Sequence, residues 1–169
     1  MIPRQLHLYN FMSYQGETEL DLYGIHVACL SGDNGNGKSA LLDAMTWALW
    51  GWARGRRYGQ GGASPDELVY QGQTEMEITL DFEANDTDYR VIRKYSKNAK
   101  SRNAATIVDL QVNTGEGYRS LTVGSVGDSE RQLQHLLRMD YETFVNSAFL
   151  LQGQADRFTT SKPAERKET

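Results

Sequence analysis

The sequence predicts an α/β fold, in which a glycine-rich loop joins a buried strand to an amphipathic helix and an antiparallel β region follows. Three observations predict it. Residues 32–39 read G-D-N-G-N-G-K-S, the residues after them place apolar side chains at helical spacing, and residues from about 73 to 123 alternate apolar with polar side chains. Periods of 3.6 and 2 residues are the signals of amphipathic helices and half-buried strands.

The loop matches the pattern G-x-x-x-x-G-K-[ST] at every fixed position. Glycines permit a tight backbone whose N–H groups point inward and let a phosphate approach closely. Those N–H groups and the start of the following helix then hold anionic oxygens. In this pattern Lys38 reaches the β- and γ-phosphates, and the Ser39 hydroxyl binds Mg²⁺. The sequence therefore predicts a nucleoside triphosphate site.

Both flanks of the loop favour this interpretation. The apolar run before it predicts a short strand covered on both faces, with Cys29 as an inert buried thiol. This run consists of Ile25, Val27, Ala28, Cys29 and Leu30. The helix after the loop is predicted from Leu41, Leu42, Met45, Ala48, Leu49 and Trp52. Gly51 stands where such a helix ends.

Alternating residues predict the remaining strands. Two strands are expected at residues 4–11 and 17–22, joined by a turn at Ser13, Gln15 and Gly16. The clearest alternation runs over residues 73–83, and a turn at 84–87 leads into a second strand. A third strand is expected at 104–112 and a fourth around Tyr118. Short connections between alternating strands predict an antiparallel meander.

Helices are predicted after the meander. Ser129 and Gln132 suggest a capping box for a helix with a leucine stripe, and Asp140 suggests the cap of a second short helix. Residues 148–151 read as a buried strand. The polar tail at 161–169 reads as the beginning of a helix, with Pro163 at its first position.

Composition bounds the function. Acidic residues outnumber basic ones, 22 to 18, so no overall basic footprint indicates nucleic acid. The single cysteine suits a reducing compartment, no apolar run reaches the roughly 18 residues of a membrane span, and the N-terminus lacks a signal-peptide core. We therefore expect a cytoplasmic protein without membrane contact; the family resemblance set out below implies that it is nucleoid-associated, or nuclear only in a eukaryotic source.

Six basic residues cluster within thirteen positions. They are Arg90, Arg93, Lys94, Lys97, Lys100 and Arg102. One interpretation is a solvated strand edge, whose lysines discourage aggregation. The other is a patch that contacts the phosphates of DNA.

Hydrolysis needs more than a phosphate loop, because a carboxylate must order water or metal near the γ-phosphate. No run of four apolar residues followed by Asp occurs in the sequence. Asp81 is the nearest candidate, but its place in the alternation predicts that it faces solvent. The chain therefore looks like half of an active site.

The sequence resembles the N-terminal ATPase lobe of SbcC-type proteins, the SMC-like ABC ATPases of double-strand-break repair. The resemblance covers nearly the whole chain. It rests on NFMSY at 10–14, the phosphate loop followed by LLDA at 41–44, LWG at 49–51, DELV at 66–69, YRV at 89–91, NS at 146–147, QGQADRF at 152–158 and PAERKE at 163–168.

The resemblance implies a domain organisation. Residues 1–160 would form an ABC-type nucleotide-binding lobe, with the phosphate loop at 32–39, the antiparallel β region at about 73–123 and a Q-loop at 152–154. Residues 161–169 would begin a coiled coil. The fold would be incomplete without a C-terminal lobe of the same protein. Two such heads would dimerise on ATP, and the family works with an SbcD-type nuclease on double-stranded DNA ends.

The resemblance also implies site residues. Gln152 would be a catalytic residue beside Lys38, and it would hold Mg²⁺ together with Ser39. The ATP-binding residues would be Met12, Ser13, Asn34, Gly35, Asn36, Gly37, Lys38, Ser39, Ala40, Val69, Tyr70 and Gln71. Relatives often carry a basic residue at position 12 and a second hydroxyl at position 40. Met12 therefore leaves only apolar contact, and Ala40 only a backbone N–H.

Two other functions stay open at this stage. One is a structural DNA tether in which ATP only joins the heads. The other is a small P-loop kinase, which needs an arginine-rich lid, and Arg54, Arg56 and Arg57 are the one candidate for it.

Overall fold

The computed structural model describes residues 1–53, 63–97, 104–122 and 124–148 of the chain. These residues form six strands and four helices. The strands are β1 (Ile2–Phe11), β2 (Tyr14–Asp21), β3 (Glu75–Ala84), β4 (Thr87–Lys97), β5 (Ala104–Asn113) and β6 (Tyr118–Ser120). The helices are α1 (Lys38–Trp50), α2 (Pro65–Leu68), α3 (Val126–Leu137) and α4 (Tyr141–Ala148).

All six strands belong to one antiparallel sheet in the order β2-β1-β3-β4-β5-β6. Neighbours in the chain are neighbours in the sheet except where β3 returns to pair with β1, at Leu6 opposite Leu80. Short turns connect β3 to β4 and β5 to β6, as alternating strands with turn residues predict. The predicted meander is therefore confirmed.

One face of the sheet forms the core. Leu6, Ile78, Leu80 and Val91 are fully buried there, because side chains two residues apart share a face of a strand. Helices α1 and α3 cover this face. Trp47 of α1 is 2% exposed and packs beside Phe11, with 6.1 Å between ring centroids.

The apolar run at residues 25–30 departs from the prediction. It forms no strand, and Val27 is 91% exposed while Ile25 and Leu30 are about half exposed. Cys29 is an exposed free thiol rather than a buried one. A strand needs a neighbour for its backbone hydrogen bonds, and no strand in the described part of the chain lies beside this run. The predicted buried strand is therefore wrong for these residues.

One of the two predicted helix caps is formed by other residues than expected. Helix α3 begins after Ser125, whose side chain forms a capping box with Asp128, so the predicted box of Ser129 and Gln132 is wrong. Ser129 is instead fully buried, and its hydroxyl donates to the Val108 carbonyl at 3.4 Å. The cap of α4 is confirmed, since the Thr143 N–H donates to Asp140 Oδ1 at 2.8 Å.

Two boundaries also shift. β2 begins at Tyr14, so Gln15 and Gly16 lie within the strand instead of in the turn before it. Ala148 ends α4 and does not open a strand. Segment 54–62, residues 149–151 and the tail at 161–169 lie outside the described residues.

Candidate nucleotide site

The phosphate loop ends at the N-terminus of α1, as predicted. Gly37 is the N-cap residue, with φ 80° and ψ 6°, and no side chain caps the helix. The first turn also carries no acidic residue. The free N–H groups of a helix start and its dipole attract anions, so this end of α1 has the donors that a phosphate group requires.

Lys38 closes over the loop. Its ammonium donates to the carbonyl oxygens of Gly32 and Asp33, at 2.6 and 2.7 Å. The Asn36 N–H reaches the Asp33 carbonyl at 3.4 Å and closes a turn within the loop. The cation is thereby held at the mouth of the loop, next to the helix start. Ser39 is the next residue of α1 and is exposed.

The turn between β1 and β2 packs directly against Gly37. A Cβ atom added to Gly37 would collide with Ser13 Oγ and lie 3.1 Å from Tyr14 Cε2. The Tyr14 hydroxyl donates to the Gly37 carbonyl at 3.2 Å. Glycine is therefore required at position 37 both for its left-handed backbone and for the lack of space. The predicted neighbourhood of Ser13 and the loop is present in the structure.

Tyr14 was not among the predicted site residues. Burial raises the pKa of its hydroxyl, which keeps it protonated and able to donate to Gly37. The sequence could have indicated this contact, since Tyr14 is the aromatic residue directly after the first turn, in the stretch NFMSY.

Residues 68–70 lie alongside the end of β1. The Met12 N–H donates to the Leu68 carbonyl and the Tyr70 N–H to the Asn10 carbonyl, both at 2.7 Å. A single bridge pairs Phe11 with Val69. Sequence positions almost sixty residues apart thus meet in space. The structure brings Val69 and Tyr70 next to Met12, and exposed Gln71 follows them in a turn.

An ion pair fixes helix α2, which leads into residues 68–70. Lys97 Nζ lies 2.7 Å from Asp66 Oδ2, and the Tyr95 hydroxyl also donates to this carboxylate. Hydrogen bonds from Lys97 and then Tyr95 lower the pKa of Asp66. At its N-terminus α2 has the capping box of Ser64 and Glu67.

The basic residues of β4 lie on both faces of the sheet, and one of them, Arg93, is buried in the core. Arg93 is 2% exposed, lies over the Trp47 ring and donates to the Ala48 carbonyl at 3.1 Å and to Glu130 Oε1 at 3.0 Å. Burial lowers its pKa. The interpretation of Arg93 as a surface group that contacts DNA is therefore wrong, because its position in β4 points it into the core.

The side chains of Arg90 and Lys94 are more exposed than that of Arg93. Arg90 makes a bidentate pair with Asp81, both contacts at 2.6 Å, and Lys94 pairs with Glu77 at 2.6 Å. Lys97 pairs with Asp66, and Lys100 and Arg102 lie outside the described residues. The described members outside the core, Arg90, Lys94 and Lys97, thus carry carboxylate partners, which reduces the free positive charge of this part of the patch.

Asp81 is also buried, against the prediction. It is 4% exposed, because Arg90 and Tyr118 cover it on the outer face of the sheet. The Arg90 guanidinium lies 4.0 Å from the centroid of the Tyr118 ring. Burial and the Asp81 charge raise the pKa of Tyr118 to about 12. Since Asp81 is engaged by these two groups, it is a structural carboxylate and not one that faces the phosphate loop.

The residues of the loop fit a triphosphate, because the uncapped helix start and the glycine at position 37 leave donors and space for it. Within residues 1–53, 63–97, 104–122 and 124–148, no group of three or more His, Cys, Asp or Glu side chains is arranged to hold a metal. The predicted metal ligand Gln152 lies outside those ranges. No helix there is both long and apolar enough to span a bilayer.

Comparison with known proteins identifies the family of the chain. A model of the AAA domain family matches residues 5–169. SbcC, a component of the SbcCD nuclease of Deinococcus radiodurans, is 34% identical over 99% of the chain and 18% of the relative. The probable DNA double-strand break repair Rad50 ATPase of Aquifex aeolicus is 30% identical over 99% of this chain and 16% of the relative. The DNA double-strand break repair Rad50 ATPase of Methanocaldococcus jannaschii is 28% identical over 100% of this chain and 15% of the relative.

The chain spans less than a fifth of the length of these relatives. Among solved structures, the recombination mediator protein RecF with ATP aligns with 72% of this chain and 28% of its own, at a TM-score of 0.48 and 19% identity.

Proposed function

Because this chain belongs to the AAA domain family, we propose that it is the ATP-binding part of an ATPase that acts in the repair of DNA double-strand breaks. The names of its relatives, SbcC of the SbcCD nuclease and the double-strand break repair Rad50 ATPases, support this process. The observation that carries the proposal is the phosphate loop at the uncapped start of α1, held against Ser13 and Tyr14.

The proposal assigns separate roles to the helix start, to Lys38 and to the residues around them. The first N–H groups of α1 bind the phosphate oxygens, and Lys38 neutralises the β- and γ-phosphates. Ser39 and Gln152 hold Mg²⁺, which supplies further positive charge to the phosphates. Met12, Val69, Tyr70 and Gln71 line the rest of the nucleotide. The contact of β1 with residues 68–70 supports this grouping.

The exposed run at residues 25–30 supports the proposal that this chain holds only half of an active site. It is apolar, it leads directly into the phosphate loop, and it has no strand neighbour in the described part of the chain. We propose that a C-terminal lobe of the same protein covers it and brings the carboxylate that activates water. Two completed heads would then join through ATP into a homodimer, with hydrolysis releasing them.

The proposed partners are double-stranded DNA ends and an SbcD-type nuclease. We retain Arg90, Lys94, Lys97, Lys100 and Arg102 as the DNA surface. Charge reversal at Lys97 and Lys100 should flatten the salt dependence of DNA binding by assembled heads, because fewer counterions are released. Charge reversal at Arg119, an exposed residue of β6, is the control. An unchanged salt slope in the double variant would remove this surface from the proposal.

Steady-state ATP turnover tests the proposed function. The chain is measured alone and then mixed with the C-terminal segment of its own protein. We expect no turnover alone and turnover in the mixture, abolished by Lys38→Ala. Robust turnover by the lone chain would contradict the proposal that it holds only half of an active site.

Two other outcomes identify the alternatives. Association of heads on ATP without turnover would favour a structural tether. Phosphoryl transfer to a small acceptor by the lone chain would favour a P-loop kinase.

A further inference from the structure

Strand β1 changes its neighbour at Asn10. Up to Tyr9 the strand pairs with β3. Past Tyr9, residues 68–70 lie beside β1 instead, and the Tyr70 N–H donates to the Asn10 carbonyl at 2.7 Å. Strand β2 keeps its place on the other side of β1 as far as Phe11. Asn10 therefore lies at the junction between the sheet and the segment proposed to line the nucleotide.

The backbone at this junction has an uncommon conformation. Asn10 has a φ of 50°, in the left-handed region that few residues other than glycine adopt and that asparagine tolerates best. Two residues of β2, Gln15 and Gly16, stand opposite Asn10 alone, which makes a β-bulge. A bulge bends a strand locally, and bulges are frequent beside functional sites. The bend thus falls where β1 changes its neighbour.

The Asn10 side chain closes the bulge. The residue is only 3% exposed, and its Oδ1 accepts a hydrogen bond from the Gly16 N–H at 2.9 Å. Removing the side chain would leave this N–H without its acceptor, which is costly away from water. One residue thereby joins two segments, because its side chain holds the start of β2 and its carbonyl holds Tyr70. Between them lies the turn that packs Ser13 against Gly37.

We propose that Asn10 is a positioning residue for the nucleoside part of ATP. This role rests on the proposed function, in which Met12, Val69 and Tyr70 line the nucleotide beyond its phosphates. Asn10 is buried and acts on ATP only through these neighbours, which it holds at a fixed place relative to the phosphate loop. The phosphates, in contrast, bind within residues 32–39 and keep those donors when the Asn10 side chain is lost. Its loss should therefore weaken the binding of ATP but not that of a bare triphosphate.

Two substitutions separate the side chain from the backbone. Asn10→Ala removes the bond to Gly16 and also places alanine in a left-handed conformation. Asn10→Gly removes the bond but adopts that conformation without strain, so it is the variant that keeps the fold. The matched control is Asn85→Ala in the turn between β3 and β4, where Asn85 has a φ of 51° and is exposed. It brings the same backbone strain at the opposite end of β3 from the junction.

The experiment compares ATP with inorganic tripolyphosphate, which has the phosphates but no nucleoside. Each ligand displaces a fluorescent ATP analogue from the wild-type chain and from the three variants. Because a buried donor loses its acceptor, we expect Asn10→Ala to weaken ATP binding about tenfold and Asn10→Gly about threefold. Tripolyphosphate binding should stay nearly unchanged in both. Asn85→Ala should change neither affinity.

Hydrogen exchange follows the same contact without any nucleotide. The Tyr70 amide, whose proton is bonded to the Asn10 carbonyl, should exchange faster in both Asn10 variants than in the wild type. The amide of Leu80, in the buried part of β3, should stay slow in all of them and reports that the sheet is intact.

Three results would overturn the positioning role. They are unchanged ATP affinity in both Asn10 variants, Tyr70 exchange as slow as in the wild type, and equal weakening of ATP and tripolyphosphate in Asn10→Gly, which a general loss of structure would cause. Failure of the wild-type chain to bind ATP is a separate result, because it would overturn the proposed function and this role with it.

Discussion

The Tyr14 hydroxyl donates a hydrogen bond to the Gly37 carbonyl across 3.2 Å, and its ring lies against the same glycine. Tyr14 begins β2, whereas Gly37 is the N-cap of α1. The sheet and the phosphate loop are therefore joined at the residue where the helix starts. The position of the loop depends on this contact as well as on its own glycines.

Tyr14→Phe removes the hydroxyl and keeps the ring. One neutral hydrogen bond contributes about 1 kcal/mol, so we expect ATP to bind up to about fivefold more weakly as the loop loses this support. Titration with a fluorescent ATP analogue measures this. Tyr9→Phe, at an exposed position of β1, is the control. Unchanged affinity in the Tyr14 variant would mean that the ring alone positions the loop.

Gly37→Ala is expected to abolish measurable nucleotide binding. The new Cβ would collide with Ser13 Oγ, in a left-handed conformation that alanine resists. Gly35→Ala, in the same loop, also has a positive φ but open space around it, so it separates backbone strain from the collision. Adding Ser13→Ala to Gly37→Ala should restore part of the binding. No recovery in the double variant would show that the collision is not the cause.

Arg93→Ala should lower the free energy of unfolding by about 3 kcal/mol, as expected when one partner of a buried ion pair is removed. It loses the bonds to the Ala48 carbonyl and to Glu130. Lys94→Ala, one residue along β4, breaks an exposed pair with Glu77 and should cost less than about 1 kcal/mol. Urea unfolding of both variants measures the difference. Equal losses would contradict the buried role of Arg93.

Asp66 gives stability that depends on pH. Its pKa is lowered in the folded chain by Lys97 and Tyr95, so folding favours the ionised carboxylate. This contribution is complete above the unfolded pKa of about 3.9 and is lost as the pH falls through the lower folded value. The stability difference between wild type and Asp66→Asn should therefore shrink in acid.

Chemical unfolding at a series of pH values measures this difference. Glu75→Gln, an exposed carboxylate at the start of β3, is the control and should show no such trend. A constant difference between wild type and Asp66→Asn down to strong acid would show that the ion pair does not stabilise the fold.

Local patterns predicted most of the fold. Alternation located all six strands of the described residues, and helical spacing located α1 up to its cap at Gly51. The errors arose where a residue's environment depends on distant parts of the chain. Arg93 reads as exposed in a basic stretch, but α1 and α3 bury it, and Asp81 is covered by Arg90 and Tyr118, which follow it in the chain.

The candidate site divides in the same way. The glycine and lysine pattern located the phosphate loop, because its chemistry lies within eight consecutive residues. The contact of Tyr14 with Gly37 and that of Met12 with Leu68 depend on how the sheet folds. Periodicity could not predict that residues 25–30 lack a neighbouring strand in the described part of the chain, since apolar composition does not say where the covering surface comes from.

The exposed run before the phosphate loop contains the single cysteine of the chain. Cys29 is therefore a natural chemical label at the surface where a second lobe is proposed to dock. The rate at which a maleimide dye modifies it reports whether that surface is open, without introducing any mutation. Modification should be fast for the chain alone and slow once the covering segment is added, so assembly can be followed in time by the thiol alone.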